Sequence, residues 1–187
     1  VGGDITVDNS FGAVIVDRDG RRIADETIGY SAFAARELAA EGPFHMIYDT
    51  RIAGDVRTGQ PTFGEVCQPG VMIVAETVED LAARLELDAS ALVETVAGAR
   101  QAAEGGEDVF ARRDWGLGPL VPPYCATRIE PALFHTQGGL MIDSQARVLR
   151  EDGSVIEGLF AGGGAAVGIS GRSGSDGYTS GNGLLSA

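Results

Sequence analysis

The chemistry this chain can carry rests on a small set of side chains and glycine turns. Glu26 closes the run Gly20-Arg21-Arg22-Ile23-Ala24-Asp25-Glu26, and Tyr30 follows it four residues later. A second tyrosine, Tyr178, stands just ahead of Ser180-Gly181-Asn182-Gly183-Leu184. A carboxylate and a phenol can each hold or pass a proton. A phenol with a pKa of about 10 must first be pushed down by neighbouring dipoles or charge before it accepts one. The main chain offers a second kind of chemistry. Gly162-Gly163-Gly164 would let a ligand approach backbone that side chains would block. Gly181-Asn182-Gly183, at the start of a helix, would aim N–H groups at a partly negative acceptor. Metal chemistry has little to stand on: Cys67 and Cys125 lie far apart with no CxxC, and His45 and His135 are the only histidines. No metal site is expected.

The elements that must position these residues are legible in outline. Residues 11–16 are β-rich, and Asp17-Arg18-Asp19-Gly20 has the composition of a tight turn. Residues 31–41 read as a helix with Ser31 as N-cap, ended by Gly42-Pro43. Residues 44–48 resume as a strand, and residues 53–70 read as loop. After a short strand at 71–75, Thr77-Val78-Glu79-Asp80 resembles a capping box opening a helix through Leu85. Asp88 caps a second helix over 89–103, where Leu92, Val93, Val96 and Ala97 recur at helical spacing. Residues 112–123 are irregular, 124–129 strand-like, and another strand starts at 139–143. Strands at 147–149 and 155–160 flank Glu151-Asp152-Gly153-Ser154, a hairpin turn. The fold class is α+β, antiparallel in its second half.

Composition closes several doors. At 187 residues and 44% hydrophobic, the chain can bury a real core without disulfides or metals. A net charge of −13 without a basic cluster argues against nucleic acid and anionic membrane surfaces as partners. No apolar run reaches transmembrane length and no signal peptide is visible, so a cytoplasmic setting with reduced thiols is expected. The opening alternation Asp4-Ile5-Thr6-Val7 and the closing Gly183-Leu184-Leu185-Ser186-Ala187 both read as interrupted elements, so the chain is expected to be a piece of a larger enzyme.

Three segments in order sharpen this. They are Gly20-Arg21-Arg22-Ile23-Ala24-Asp25-Glu26, then Pro123-Tyr124-Cys125-Ala126 leading into His135-Thr136-Gln137-Gly138-Gly139-Leu140-Met141-Ile142-Asp143. The last is Val148-Leu149-Arg150-Glu151-Asp152-Gly153-Ser154-Val155-Ile156-Glu157-Gly158-Leu159-Phe160-Ala161-Gly162-Gly163-Gly164, followed by the run 177–185. Together they resemble the C-terminal part of the fumarate reductase/succinate dehydrogenase flavoprotein family, which includes 3-ketosteroid dehydrogenases. The resemblance implies FAD as cofactor, a small-molecule substrate and a FAD domain split in sequence around a capping domain. It divides the chain into strands at 1–19, a substrate-capping domain at 20–120 and the returning part of the FAD domain at 121–187. The N-terminal unit with its phosphate-cradling GxGxxG would be missing, so this chain alone is expected to be inactive and free of FAD. The face left open by that unit would favour self-association.

The same resemblance assigns roles. Gly138, Gly139, Gly162, Gly163, Gly164, Ser180, Gly181, Asn182, Gly183 and Leu184 would line the flavin. Phe134, His135 and Thr136 would face substrate. Tyr178, Tyr30 and Glu26 would be catalytic, the tyrosines as proton acceptor or donor and Glu26 in proton delivery or in placing the cap. Three positions depart from the fumarate reductases: Phe134 replaces their His, Tyr178 their carboxylate-clamping Arg, and Gly164 a frequent Glu. A dicarboxylate needs fixed cationic partners, so these changes favour a ketone-activated C–C bond as the site of oxidation or reduction. The alternatives are a fumarate-type reductase, with Arg172 supplying the clamp, and a binding module without flavin chemistry.

Overall fold

The computed structural model describes residues 11–59, 70–132 and 138–167, with the backbone alone at Tyr30 and Ser31. The chain divides into two compact units, Val1–Ala132 and Leu133–Ala187. In the first, β1 (Val14–Val16), β2 (Phe44–Asp49), β3 (Met72–Ala75) and β4 (Tyr124–Ile129) form one antiparallel sheet in the order β1-β2-β4-β3. The expected divisions at 19/20 and 120/121 therefore both fall inside this unit. Strand β4 pairs with β2 and β3 on its two sides, which binds it to the residues before it in the chain.

The run Phe44-His45-Met46-Ile47-Tyr48-Asp49 is buried at all six positions, as a central strand covered on both faces requires. Tyr48 and Thr127 share a hydrogen bond of 2.7 Å on one face, so burial leaves neither hydroxyl unsatisfied. Helix α1 (Tyr30–Ala39) precedes β2. Helix α2 (Thr50–Gly59) packs against β2 and β4, and α3 (Val78–Leu85) against β3, β4 and α4 (Ala89–Ala103). Leu81, Ala82, Leu92 and Val96 from the last two helices join Ile15, Met46, Tyr48 and Ile52 in a single core. Both expected caps form: Thr77 Oγ1 accepts from the Asp80 amide at 3.1 Å, and Asp88 Oδ1 from that of Ala91 at 2.8 Å.

Three local expectations are corrected. Helix α2 occupies much of the expected loop at 53–70. Gly54, Thr58 and Gly59 lower its intrinsic propensity, but Asp49 Oδ1 accepts from the amides of Arg51 and Ile52, and Ile52, Ala53 and Val56 are buried on one face. Helix α1 starts at Tyr30 with Gly29 as N-cap, so Ser31 lies inside its first turn. Gly29 has φ +92, which lets the chain leave the 3-10 turn Glu26–Ile28 in the direction α1 needs. The expected strand at 139–143 is reduced to two bridges, Leu140 with Ala166 and Ile142 with Val148.

The second unit contains β5 (Arg147–Leu149) and β6 (Val155–Phe160), an antiparallel hairpin as expected. Its turn closes through the Arg150 amide donating to the Ser154 carbonyl at 2.8 Å, with Asp152 Oδ1 accepting from the Ser154 amide at 2.9 Å. A 3-10 turn, Gly163–Ala165, follows. Among the described residues, no helix is long and apolar enough to cross a membrane.

Candidate functional site

The densest polar arrangement in the first unit surrounds Glu26, whose side chain is fully buried. Its Oε1 accepts from the Ile15 amide at 3.1 Å and from Arg22 Nε at 2.8 Å. Its Oε2 accepts from Arg22 Nη2 at 2.8 Å and Arg112 Nη1 at 2.9 Å. Arg22 also pairs with Asp108, which accepts from the Phe110 and Arg112 amides, each at 3.0 Å. Arg112 donates further to the Ala13 and Asp114 carbonyls, each at 2.7 Å. Trp115 lies under both guanidinium groups, 5.2 Å from that of Arg22 and 4.3 Å from that of Arg112, while Phe110 lies 5.2 Å from Arg22. Two cations and two carboxylates thus neutralise one another, with the Glu26 and Arg112 side chains fully buried and those of Arg22 and Asp108 nearly so.

Electrostatics agrees with that pairing. Burial pulls the Arg22 pKa down, but Glu26 and Asp108 more than offset it and the net shift is upward. Burial likewise opposes ionisation of Asp108, yet its hydrogen bonds from Arg22 and the backbone hold it below the ordinary carboxylate value. Arg112 is lowered, by burial first and by Arg22 as well, with Glu26 acting against both. Arg22, Asp108 and Arg112 remain in their charged forms near neutral pH.

A second clamp joins β2 to the segment before β4. Asp49 is fully buried, pairs with Arg51 at 2.7 Å and accepts from the Val121 amide at 3.1 Å. Arg51 reaches on to the Pro119 carbonyl at 2.8 Å. Two other buried polar atoms have no hydrogen-bond partner among the described residues, Glu37 Oε1 and His45 Nδ1. Burial raises the Glu37 pKa to about 7. For His45, burial and then the Arg128 charge lower it.

In the second unit the glycines separate into two kinds. A Cβ at Gly139 would stand 2.4 Å from the Ala166 carbonyl carbon, and φ there is +148. The chain's own backbone packing therefore demands that glycine. At Gly164 a Cβ would meet nothing within 4 Å among the described residues. Gly162 and Gly164 are both exposed, so the turn presents bare main chain to the outside.

Residues 9–184 match the FAD binding domain family. The chain belongs to that family. An NADH:acrylate oxidoreductase of Vibrio harveyi is 33% identical over 158 residues, covering 83% of this chain and 16% of its own length. A fumarate reductase of Schizosaccharomyces pombe is 30% identical over 165 residues, covering 86% of this chain and 31% of its own. A crystal structure of 3-ketosteroid delta1-dehydrogenase from Sterolibacterium denitrificans, in complex with 1,4-androstadiene-3,17-dione, superposes with a TM-score of 0.70 at 25% identity. That likeness covers 98% of this chain and 37% of that one. This chain therefore spans well under half the length of these relatives.

FAD is the cofactor of this flavoprotein family, and the second unit fits part of one. Packing among the described residues explains why Gly139 is glycine and leaves the backbone at Gly164 open, as a ligand's close approach would require. Of the residues expected to serve flavin or substrate, Gly138, Gly139, Gly162, Gly163 and Gly164 lie together around the Leu140–Ala166 bridge. Phe134, His135, Thr136, Tyr178, Ser180, Gly181, Asn182, Gly183 and Leu184 lie outside the described residues, as do Arg172, Cys67 and the side chain of Tyr30. Glu26 lies in the interior, 1% exposed. Arg128 is an exposed strand charge paired with Glu130 at 2.7 Å, and Cys125 is buried on β4. Sequence reading missed Arg112 and Asp108. Their spacing of four, with Phe110 between them and Trp115 just beyond in a chain stretch lacking regular structure, was the available signal.

Proposed function

We propose that this chain supplies the substrate-capping region and the returning strands of the FAD domain in a longer FAD-dependent oxidoreductase. The observation that carries this is the family match across residues 9–184 in a chain spanning about a third or less of its relatives' length. The first unit would be the cap, and the second would complete the flavin site after it. When bound, the flavin would exchange hydride through N5 with a C–C bond beside a carbonyl. The chain's own residues would do the rest. The backbone of Gly162–Gly164 and of Gly181–Gly183 would hold the cofactor, their N–H groups facing its negative atoms. Tyr178 and Tyr30 would each serve as proton donor or acceptor. Glu26, already hydrogen-bonded on both oxygens, would place the cap rather than shuttle protons. Phe134, His135 and Thr136 would contact the substrate.

A fumarate-type reductase is the second reading, favoured by the 30% identity to the yeast enzyme. It needs a cation for each carboxylate, with Arg172 as the nearest candidate.

The deciding experiment uses the longer flavoprotein that contains this chain. Bound flavin is quantified by absorbance, and its anaerobic reduction by a 3-ketosteroid or cyclic ketone is compared with its reoxidation by fumarate. Reduction by the ketone, slowed about 100-fold or more in Tyr178→Phe, supports the first reading. Turnover with fumarate alone, abolished in Arg172→Ala, transfers the assignment to the second. A protein without flavin would sink both.

A further inference from the structure

We infer that the buried network of Arg22, Glu26, Asp108 and Arg112 is a positioning device that sets where α1 begins. This rests on the proposed role of Tyr30, which is the first residue of that helix. Glu26 opens the 3-10 turn Glu26–Ile28, and Gly29 alone separates that turn from Tyr30. The first hydrogen bond of α1 runs from the Phe33 amide to the Gly29 carbonyl at 2.9 Å. The start of the helix is thus separated by three residues, two of them in a 3-10 turn, from a carboxylate anchored at four points.

Those anchors come from distant parts of the chain. The Ile15 amide and Ala13 carbonyl tie the network to the β1 segment, and Asp108 and Arg112 bring in the stretch after α4. A buried ion network of this kind adds little stability over apolar packing of equal volume, but its fork geometry admits one arrangement. The apolar cluster of the first unit, which takes in Phe33 from α1, supplies burial without direction. What the network specifies is the angle and register at which Glu26–Ile28, and so α1, leaves the sheet.

Trp115 makes this readable, being the only tryptophan in the sequence and lying against both arginines. The variants are Glu26→Gln, Arg112→Lys and Asp108→Asn in the 187-residue chain, with Trp115 emission and amide hydrogen exchange as readouts. Arg112→Lys keeps the charge but loses the fork. It is expected to shift Trp115 emission to the red and to speed exchange at the Phe33 amide roughly ten- to a hundredfold. Exchange at Leu81 and Leu92 should stay as in the parent chain. Faster exchange confined to residues 108–115, with Phe33 unchanged, would overturn the inference by reducing the network to a local loop fastener. Should Glu26→Gln unfold the chain, Arg112→Lys and Asp108→Asn are read by the same criteria. Global loss of protection in all three would also overturn it, since the network would then be holding the core. In the longer flavoprotein the same variants should lower kcat about tenfold or more with KM and flavin content unchanged. If the unmodified flavoprotein binds no flavin, the proposed function fails, while the exchange result still decides the positioning claim.

Discussion

Glu26 and its neighbours show how a buried charge becomes informative when each of its lone pairs is accounted for. Removing the carboxylate in Glu26→Ala would take from Arg22 one of its two carboxylate partners and from Arg112 the carboxylate it is hydrogen-bonded to. Destabilisation by about 3–5 kcal/mol is expected, read as a lower midpoint in urea unfolding. The glycines of the second unit give a sharper residue-scale contrast. Gly139→Ala forces a methyl group into the Ala166 carbonyl at a φ that L-residues avoid, so the 138–167 segment should lose its exchange protection. Gly164→Ala meets no such wall and should leave that protection intact. In the longer flavoprotein it should instead weaken FAD binding, measured as faster loss of flavin on dilution. Equal effects of the two changes on folding would remove the argument that the Gly164 turn is kept bare for a ligand. The glycine motifs and Glu26 stood out through their resemblance to the family's motifs. Arg112 did not, because its partners are Glu26, 86 residues away, and the carbonyls of Ala13 and Asp114.

At the scale of elements, local signals succeeded where a side chain caps its own helix and failed where tertiary packing overrides propensity. Thr77 and Asp88 announce α3 and α4, and both make the expected cap bonds. Helix α2 was hidden because two glycines and two threonines dilute its ten residues, while its stabilising contacts are buried faces on β2 and β4. The start of α1 was misplaced by one residue because Ser31 looks like a cap, whereas Gly29 turns the chain. The same helix carries Glu37, 5% exposed with one oxygen unpartnered. Its pKa is raised to about 7, so over the interval from the ordinary glutamate value up to there the folded state binds more protons than the unfolded one. Stability from this group is therefore greatest at low pH and falls as pH rises toward 7, after which the loss is complete. His45 acts in the opposite sense: its lowered pKa costs stability as pH drops through the ordinary histidine range. Glu37→Gln isolates the first effect. Its melting temperature should match the parent's near pH 5 and exceed it by several degrees at pH 8. Parallel melting curves at both pH values would mean that Glu37 finds a partner on ionising.

At the scale of the whole molecule, a single chemistry unites the charges and an unbalanced surface marks the second unit. All fourteen cationic side chains are arginine, which suits a chain whose central pairs are buried and fork-shaped, since lysine offers a point charge without the planar geometry. With 27 acidic residues against them, the remaining surface is strongly negative, and long-range repulsion should keep copies apart. The second unit works against that repulsion. Leu140, Met141, Leu159, Phe160 and Val167 are all exposed there, with Phe160 at 63%. So many exposed large apolar side chains in a short segment are what an association surface is built from. In the proposed flavoprotein they would be covered by the remainder of the FAD domain. The isolated chain should accordingly self-associate, and the association should strengthen with salt, because screening weakens the repulsion while leaving apolar burial in place. Light scattering at rising concentration in low and high salt checks both halves of this. Phe160→Glu should return the chain to a monomer without changing its melting temperature, since that side chain is exposed and lies outside the core. A monodisperse monomer at every concentration and salt level would mean that these residues are too scattered to act as a patch. The assignment of that face to a missing part of the FAD domain would then lose its physical basis.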